Sequence, residues 1–317
     1  MKKNNRTAPL ICILGPTATG KTQLAANLAA RLDASVISAD SRQVYRGMDI
    51  GTGKDLSEYV VNGRPVPYYL IDLVDAGYEY NVFEYQRDFF QVYDTLQHEG
   101  KPVILCGGSG MYVESVLKNY ALYEVPVNFS FRNSVQEKSM EELTEMLKSY
   151  IHLHNNSDTE TRERLLRALE IQIYYKEHAV PQERPSLPYV AFYMDFPRPV
   201  LRERITIRLH ERLQNGLVDE VRSLLDKGLT GEQLVYYGLE YKYVTAYLLH
   251  QCSYEEMAGK LETAIHQFAK RQETWFRHME RNGFVFHRID GQLSLSEKVD
   301  EVMRTLGPEY QKKETSF

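Results

Sequence analysis

Residues 10–22 read LICILGPTATGKT, and this stretch constrains the fold more than any other in the chain. Five consecutive apolar residues read as a short strand opening a βαβ unit. The pattern G-x-x-x-x-G-K-T that follows opens directly onto the amphipathic KTQLAANLAARL. Strand, glycine-bearing loop and helix make the geometry in which backbone amides and a helix N-terminus wrap an anion. Lys21 would neutralise charge there, and Thr22 stands where a hydroxyl can hold Mg²⁺. A phosphate-binding role for Gly15, Pro16, Thr17, Ala18, Thr19, Gly20, Lys21 and Thr22 follows. At this point the phosphate can belong to ATP or to a plain diphosphate.

The rest of the chain keeps the rhythm of a parallel α/β sheet. SVISAD completes the first βαβ unit. YYLIDLV and PVILC read as further strands, separated by the helical NVFEYQRDFFQVYDTLQHEG. PVILC runs into GGSGMYVESVL, a glycine-rich turn opening another helix. From about Leu117 the strand signal stops, and SMEELTEMLKSY and TRERLLRALEIQIYYKEH read as helices up to the proline-bearing VPQERPSLP. YVAFYMDF and GFVFHRID restore strands among further helices. The expected fold is α/β, a P-loop NTPase-like parallel sheet flanked by helices, with a helical insertion domain. Residues 1–117 and 190–300 would form the core, 118–189 the insertion and 301–317 a C-terminal tail.

Composition narrows the function. The chain of 317 residues is 43% hydrophobic and 26% charged, an ordinary globular balance, and no apolar run is long enough to cross a bilayer. MKKNNRTAP lacks a signal-peptide core, so a cytoplasmic protein is expected. Cys12, Cys106 and Cys252 are far apart and odd in number, which excludes a disulfide framework or a CxxC metal site and leaves them as buried small hydrophobes. A net charge of −5 argues against coating nucleic acid non-specifically. Local basic faces remain, at RPVLRERITIRLHER and KRQETWFRHMER. Such runs are commonly solvated helix faces.

Three positions beyond the loop can carry chemistry. Asp40 ends the second strand, and strand carboxyl ends converge on one crevice in a parallel sheet, so its carboxylate is expected to face the bound phosphate compound. The alternative is a cap for a helix beginning at Ser41. Ser109, in CGGSGMY, can donate to an anion or cap its own helix. Asp72, in YYLID, is a candidate Walker-B acid for a hydrolase, or else a surface turn aspartate or a helix cap. In LETAIHQFAKRQETWFRHME, Leu261, Ile265, Phe268, Trp275 and Met279 read as the core stripe. Gln267, Lys270, Arg271, Thr274 and Arg277 gather on polar faces suited to phosphate and base-edge contacts.

Taken in order, GPTATGKT, SADSRQVYRGMDIGTGK, CGGSGMY, RALEI and AKRQETWFR closely resemble the tRNA dimethylallyltransferase family over most of the chain. The resemblance implies transfer of a dimethylallyl group from its diphosphate to N6 of adenosine 37 in tRNAs reading codons that begin with U. It implies a P-loop core whose helical insertion closes on the anticodon stem-loop, with an extruded base meeting the prenyl diphosphate. Asp40 would then be the base for N6, and the loop amides, Lys21 and a Thr22-held Mg²⁺ would receive the leaving diphosphate. Ser109 and Arg132 join Asp40 and Lys21 as catalytic candidates by the same resemblance. The stretches 40–43, 160–164 and 267–272 fall where the family contacts tRNA. The residues concerned are Asp40, Ser41, Arg42, Gln43, Ser109, Arg132, Arg164, Arg167, Gln267, Lys270, Arg271 and Gln272, and nothing demands more than a monomer.

Two departures stand out. YYGLEYKYV puts Glu240 where the family usually has the glycine of its GYK motif, with Tyr237 just before it, and PYYLID carries tyrosines where a histidine is common. An adenylate isopentenyltransferase, an ATP-using P-loop kinase and a non-catalytic RNA-binding regulator remain as alternative readings.

Overall fold

A computed structural model describes residues 9–151, 159, 161–178 and 186–307. The elements are β1 (Leu10–Leu14), α1 (Lys21–Leu32), β2 (Ser35–Ala39), β3 (Val60–Val61), β4 (Arg64–Pro65), β5 (Tyr68–Tyr69), α2 (Val82–His98), β6 (Val103–Gly107) and α3 (Gly110–Leu117). They continue as α4 (Phe129–Ser134), α5 (Met140–Lys148), α6 (Arg162–Glu177), β7 (Tyr189–Asp195), α7 (Arg198–Gln214), α8 (Leu217–Asp226), α9 (Gly231–Tyr236), α10 (Leu239–Leu248), α11 (Tyr254–Arg281), β8 (Phe286–Asp290) and α12 (Leu295–Leu306).

Six strands form one parallel sheet in the order β5-β2-β6-β1-β7-β8, and β3 pairs antiparallel with β4 apart from it. Strand β1 is central, which explains its unbroken apolar sequence. Leu10, Cys12 and Leu14 enter the core on one face of the sheet, Ile11 and Ile13 the core on the other. Helix α1 closes the second core with Leu24, Ala25 and Leu28, joined by Val302 and Leu306 of α12. The first core takes Tyr85 and Phe89 of α2 with Leu261, Ile265 and Phe276 of α11. Because β1, β2 and β6 are neighbours and run the same way, the turns after them lie along one sheet edge.

The chain divides into two compact units, one of Met1–Asn119 with Ser186–Phe317 and one of Tyr120–Pro185. The expected insertion bounds of 118–189 therefore shift. Leu187 N donates to Leu117 O at 3.2 Å and Tyr189 opens β7, so both ends belong to the sheet-bearing unit. The expected tail at 301–317 is partly helix: α12 reaches Leu306 and buries Val302, Met303 and Leu306, while residues 308–317 lie outside the described residues.

The smaller unit packs α5 against α6 around Val135, Leu143, Leu147, Leu165 and Leu169. Among the described residues no helix is long and apolar enough to cross a membrane.

Two further expectations change. YYLIDLV yields only the two-residue β5, because Leu70 (φ 61°) and Asp72 (φ 56°) turn the backbone out of the sheet. No helix begins at Ser41; residues 41–44 are turn, so Asp40 caps nothing helical.

Candidate active site

The loop between β1 and α1 needs two glycines for different reasons. Gly20 caps α1 in the left-handed region at φ 75°, where a side chain is strained. At Gly15, φ 148°, a Cβ would lie 3.2 Å from Met194 O. Inside the loop Thr19 Oγ1 donates to Pro16 O at 2.8 Å and Lys21 Nζ donates to the same carbonyl at 2.6 Å. Burial pushes the Lys21 ammonium down to about 8, Arg208 adds to the effect, and Asp40 and Glu58 oppose it. Thr22 is partly exposed at the start of α1, at the positive end of the helix dipole.

Helix α7 supplies the loop with arginines. Arg204 Nε donates to Ala18 O at 2.9 Å, and Arg208 Nη2 donates to Thr17 Oγ1. Burial, then the neighbouring Arg212, pushes Arg208 down to about 10. The run RPVLRERITIRLHER is thus not a purely solvated face. Its repeat of Arg204, Arg208 and Arg212 at four-residue spacing was the available signal. On the facing side the short 3₁₀ turn Leu56–Tyr59 carries Glu58, whose carboxyl is pushed up to about 7 by burial and by Asp55.

The turn after β2 is locked to the turn after β6. Asp40 is half-buried, and its Oδ1 accepts from Arg42 N at 2.9 Å in an Asx turn that orients the carboxylate. Ser109 stands at the N-cap of α3 but makes no side-chain cap bond; its Oγ accepts from Ser41 N at 3.1 Å instead. The glycines of GGSG serve close approach. A Cβ at Gly107 would lie 2.2 Å from Ala39 O, and one at Gly110 would lie 2.2 Å from Trp275 Cδ1.

Gln272 of α11 joins these parts. Its Oε1 accepts from Thr17 N at 2.8 Å and its Nε2 donates to Gly108 O at 2.9 Å, with the residue only 8% exposed. Gln272 was expected among the tRNA contacts, yet both ends of its amide serve the protein. Gln43 is similar: Ser38 Oγ donates to its Oε1 at 2.9 Å and its Nε2 donates to Gly53 O at 3.0 Å.

The core stripe of α11 is Leu261, Ile265, Ala269, Gln272, Phe276 and Met279, not the expected set with Phe268 and Trp275. Phe268 is 38% exposed, and Trp275 donates its indole N–H to Glu114 at 3.0 Å. The inward face follows steps of three and four residues, and an apolar side chain one position off lands at its border. Gln267, Lys270 and Arg271 are exposed, with the Arg271 guanidinium 5.8 Å from the Phe268 ring centre. Lys270, Thr274 and Arg277 line a cavity of about 250 Å³ together with Arg198 and Arg288. Arg42 is half-buried and lies 5.2 Å over the Tyr236 ring.

Sequence reasoning missed the structural use of GMDIGTGK. Lys54 is fully buried and donates to Tyr45 O at 2.7 Å, to Asp49 Oδ1 at 2.6 Å and to Asp72 Oδ1. Asp72 is therefore spent on a buried cation, and the acid that a hydrolase reading requires is not supplied there. The amides of Asp49, Ile50 and Gly51 donate to Glu220 at 2.8, 2.7 and 2.9 Å, and Tyr241 donates to the same carboxylate. Tyr237 is buried against Tyr45 and accepts from Gly77 N, a packing role.

In the smaller unit, RALEI has a structural use. Buried Glu170 accepts from Asn128 N at 3.0 Å, Arg132 Nε at 2.7 Å and Arg167 Nη1 at 3.3 Å. Burial alone would raise that carboxyl, but these donors hold it below its ordinary range. Arg132 also pairs with Glu163, and Arg167 donates to Val125 O at 2.7 Å. Arg164 is exposed on α6, and Glu160 lies outside the described residues.

A family profile described as IPP transferase matches residues 43–279. The tRNA dimethylallyltransferase 2 of Phocaeicola vulgatus is 54% identical over 298 residues, covering 94% of this chain and 97% of that protein. The one from Porphyromonas gingivalis is 52% identical, covering 94% and 99%. Among solved structures, the full-length tRNA isopentenylpyrophosphate transferase of Bacillus halodurans superposes with a TM-score of 0.68 at 29% identity, covering 96% of this chain and 98% of that one. A eukaryotic dimethylallyltransferase acting on tRNA shares the fold, with a TM-score of 0.73 at 22% identity over 91% of this chain and 75% of that one. The family profile and the near-full-length similarity agree: the chain belongs to the IPP transferase family.

Proposed function

We propose that the protein is a tRNA dimethylallyltransferase, moving the dimethylallyl group of dimethylallyl diphosphate to N6 of adenosine 37 beside the anticodon. The observation that carries this reading is the lock between three strand-end turns. Ser109 ties the Asp40 turn to the β6 turn, and Gln272 ties the β6 turn to the phosphate loop, so a base and a leaving-group cradle share one edge. The names of the relatives support the same substrate class.

N6 attacks carbon 1 of the allyl group, the carbon–oxygen bond to the diphosphate breaks, and the diphosphate departs with the electron pair. The N6 proton passes to Asp40, whose carboxylate the Arg42 amide already orients. Lys21, Arg208 and the α1 amides receive the charge that builds on the leaving group. No water is activated, so the lack of a Walker-B acid at the glycine end of β6 costs the reaction nothing.

Mg²⁺ fits this cradle. Among the described residues no cluster of three acidic, His or Cys side chains could enclose a metal. Mg²⁺ is commonly held by substrate phosphates, waters and one or two protein oxygens, here Thr22 Oγ1. It would supply charge neutralisation to the departing diphosphate. The outward face of α11, Gln267, Lys270 and Arg271, and the side chain of Arg42 contact the tRNA backbone and bases. In the smaller unit Arg164 is exposed on α6, while Arg132 and Arg167 are engaged by Glu170.

The test is mass analysis of position 37 in an anticodon stem-loop after incubation with dimethylallyl diphosphate. A prenylated adenosine is expected. Labelling of free AMP alone would favour an adenylate isopentenyltransferase, and ATP turnover without prenyl transfer a kinase.

A further inference from the structure

Arg204, Arg208 and Arg212 recur every fourth residue along α7, so they lie in a row with a rise of about 6 Å between neighbours. The first two are tied to the phosphate loop. Arg212 is held differently: its side chain is 11% exposed, and its Nη1 lies 3.7 Å from Glu240 Oε1. Its Nη2 is buried and has no hydrogen-bond acceptor among the described residues. Space for the guanidinium depends on Gly53, at φ 63°, where a Cβ would lie 1.8 Å from Arg212 Nη2. Glu240, 17% exposed at the first turn of α10, stands where the family resembled by the sequence usually has glycine. Gly53, Arg212 and Glu240 therefore form one arrangement: room, a cation and its anchor.

A buried guanidinium donor without an acceptor is rare in folded proteins, because the desolvation of the N–H goes uncompensated. An acceptor supplied by a ligand removes that cost, and guanidinium groups suit phosphoryl oxygens. We propose that Arg212 is a further binding residue for the diphosphate of the prenyl donor, its Nη2 donating to a phosphoryl oxygen next to those held by Arg208. Glu240 is the positioning residue that stations the guanidinium. The proposal rests on the transferase reading of the same crevice, since that reading supplies the diphosphate.

The experiment is calorimetric titration of the full chain with inorganic diphosphate in Mg²⁺ buffer. The variants are Arg212→Met, Arg212→Lys, Gly53→Ala and the double variant Arg212→Met with Glu240→Gln, which leaves no unpaired buried carboxylate. Loss of one charge-assisted hydrogen bond predicts about tenfold weaker binding for Arg212→Met and for the double variant, with partial recovery in Arg212→Lys. Gly53→Ala keeps every charge but displaces the guanidinium, and should weaken binding in the same direction. The KM for dimethylallyl diphosphate should rise in parallel while tRNA affinity stays unchanged. Diphosphate binding at wild-type strength in the double variant and in Gly53→Ala overturns the role of Arg212. Failure of the wild-type chain to bind diphosphate instead removes the transferase reading itself.

Discussion

The side chain of Gln272 reaches the backbone of Thr17: its Oε1 accepts the Thr17 amide proton at 2.8 Å, while its amide nitrogen holds Gly108 O at 2.9 Å. The helix whose outward face carries Gln267, Lys270 and Arg271 is thereby fastened through its inward face to the loop between β1 and α1. A buried amide used at both ends leaves two backbone groups unpaired when it is removed.

Gln272→Ala should therefore raise the KM for dimethylallyl diphosphate by about tenfold, the equivalent of one to two net hydrogen bonds. Steady-state kinetics with the donor varied at saturating stem-loop measure this. A KM within twofold of wild type would mean the loop holds its shape without the bridge.

Asp40→Ala removes the proposed base and should lower kcat by on the order of 100-fold or more, with stem-loop affinity nearly intact. Asp40→Asn keeps an acceptor for the Arg42 amide and so separates orientation of the turn from proton transfer. Single-turnover rates decide between them. An Asp40→Asn enzyme as fast as wild type would reduce Asp40 to a turn-former.

Arg271→Ala takes one exposed cation from α11 and should weaken stem-loop binding while reducing the slope of log affinity against log salt by roughly one phosphate contact. Binding titrations at several salt concentrations give that slope. A change in turnover with the slope unchanged would contradict a backbone contact.

Glu58 sets a pH dependence. Its folded carboxyl is raised to about 7 against an ordinary value near 4.5, so between those values the folded chain binds more protons than the unfolded one. Stability associated with this group is fully present below about 4.5 and is lost as pH rises through about 7. Denaturant midpoints at pH 5 and pH 8 should fall less for Glu58→Gln than for wild type, because the amide does not titrate. Equal losses would show that Glu58 is solvated as an ordinary carboxylate.

Local sequence was enough for the sheet-bearing unit in outline. The unbroken LICIL read as a short strand, and G-x-x-x-x-G-K-T at its end fixed a strand, loop and helix, because these signals depend on neighbours in the chain. The turns that carry Asp40 and Ser109 were legible for the same reason, since they follow β2 and β6 directly. What the sequence could not determine were side chains whose partners are far away along it. Gln272 stood among the residues that the resemblance assigned to tRNA contact, Asp72 was open between a metal acid and a turn residue, and Arg208 looked like part of a solvated face. Only tertiary packing brings Gln272 and Arg208 to Thr17 and Asp72 to Lys54. A one-residue shift around a helix exchanges inside for outside, so Phe276 and Ala269 took the buried places that periodicity had assigned to Trp275 and Phe268. The chain's own order determined the strand, loop and helix at its start; the three-dimensional meeting of α7, α10 and α11 with the sheet edge decided which polar groups are spent inside the protein and which stay exposed.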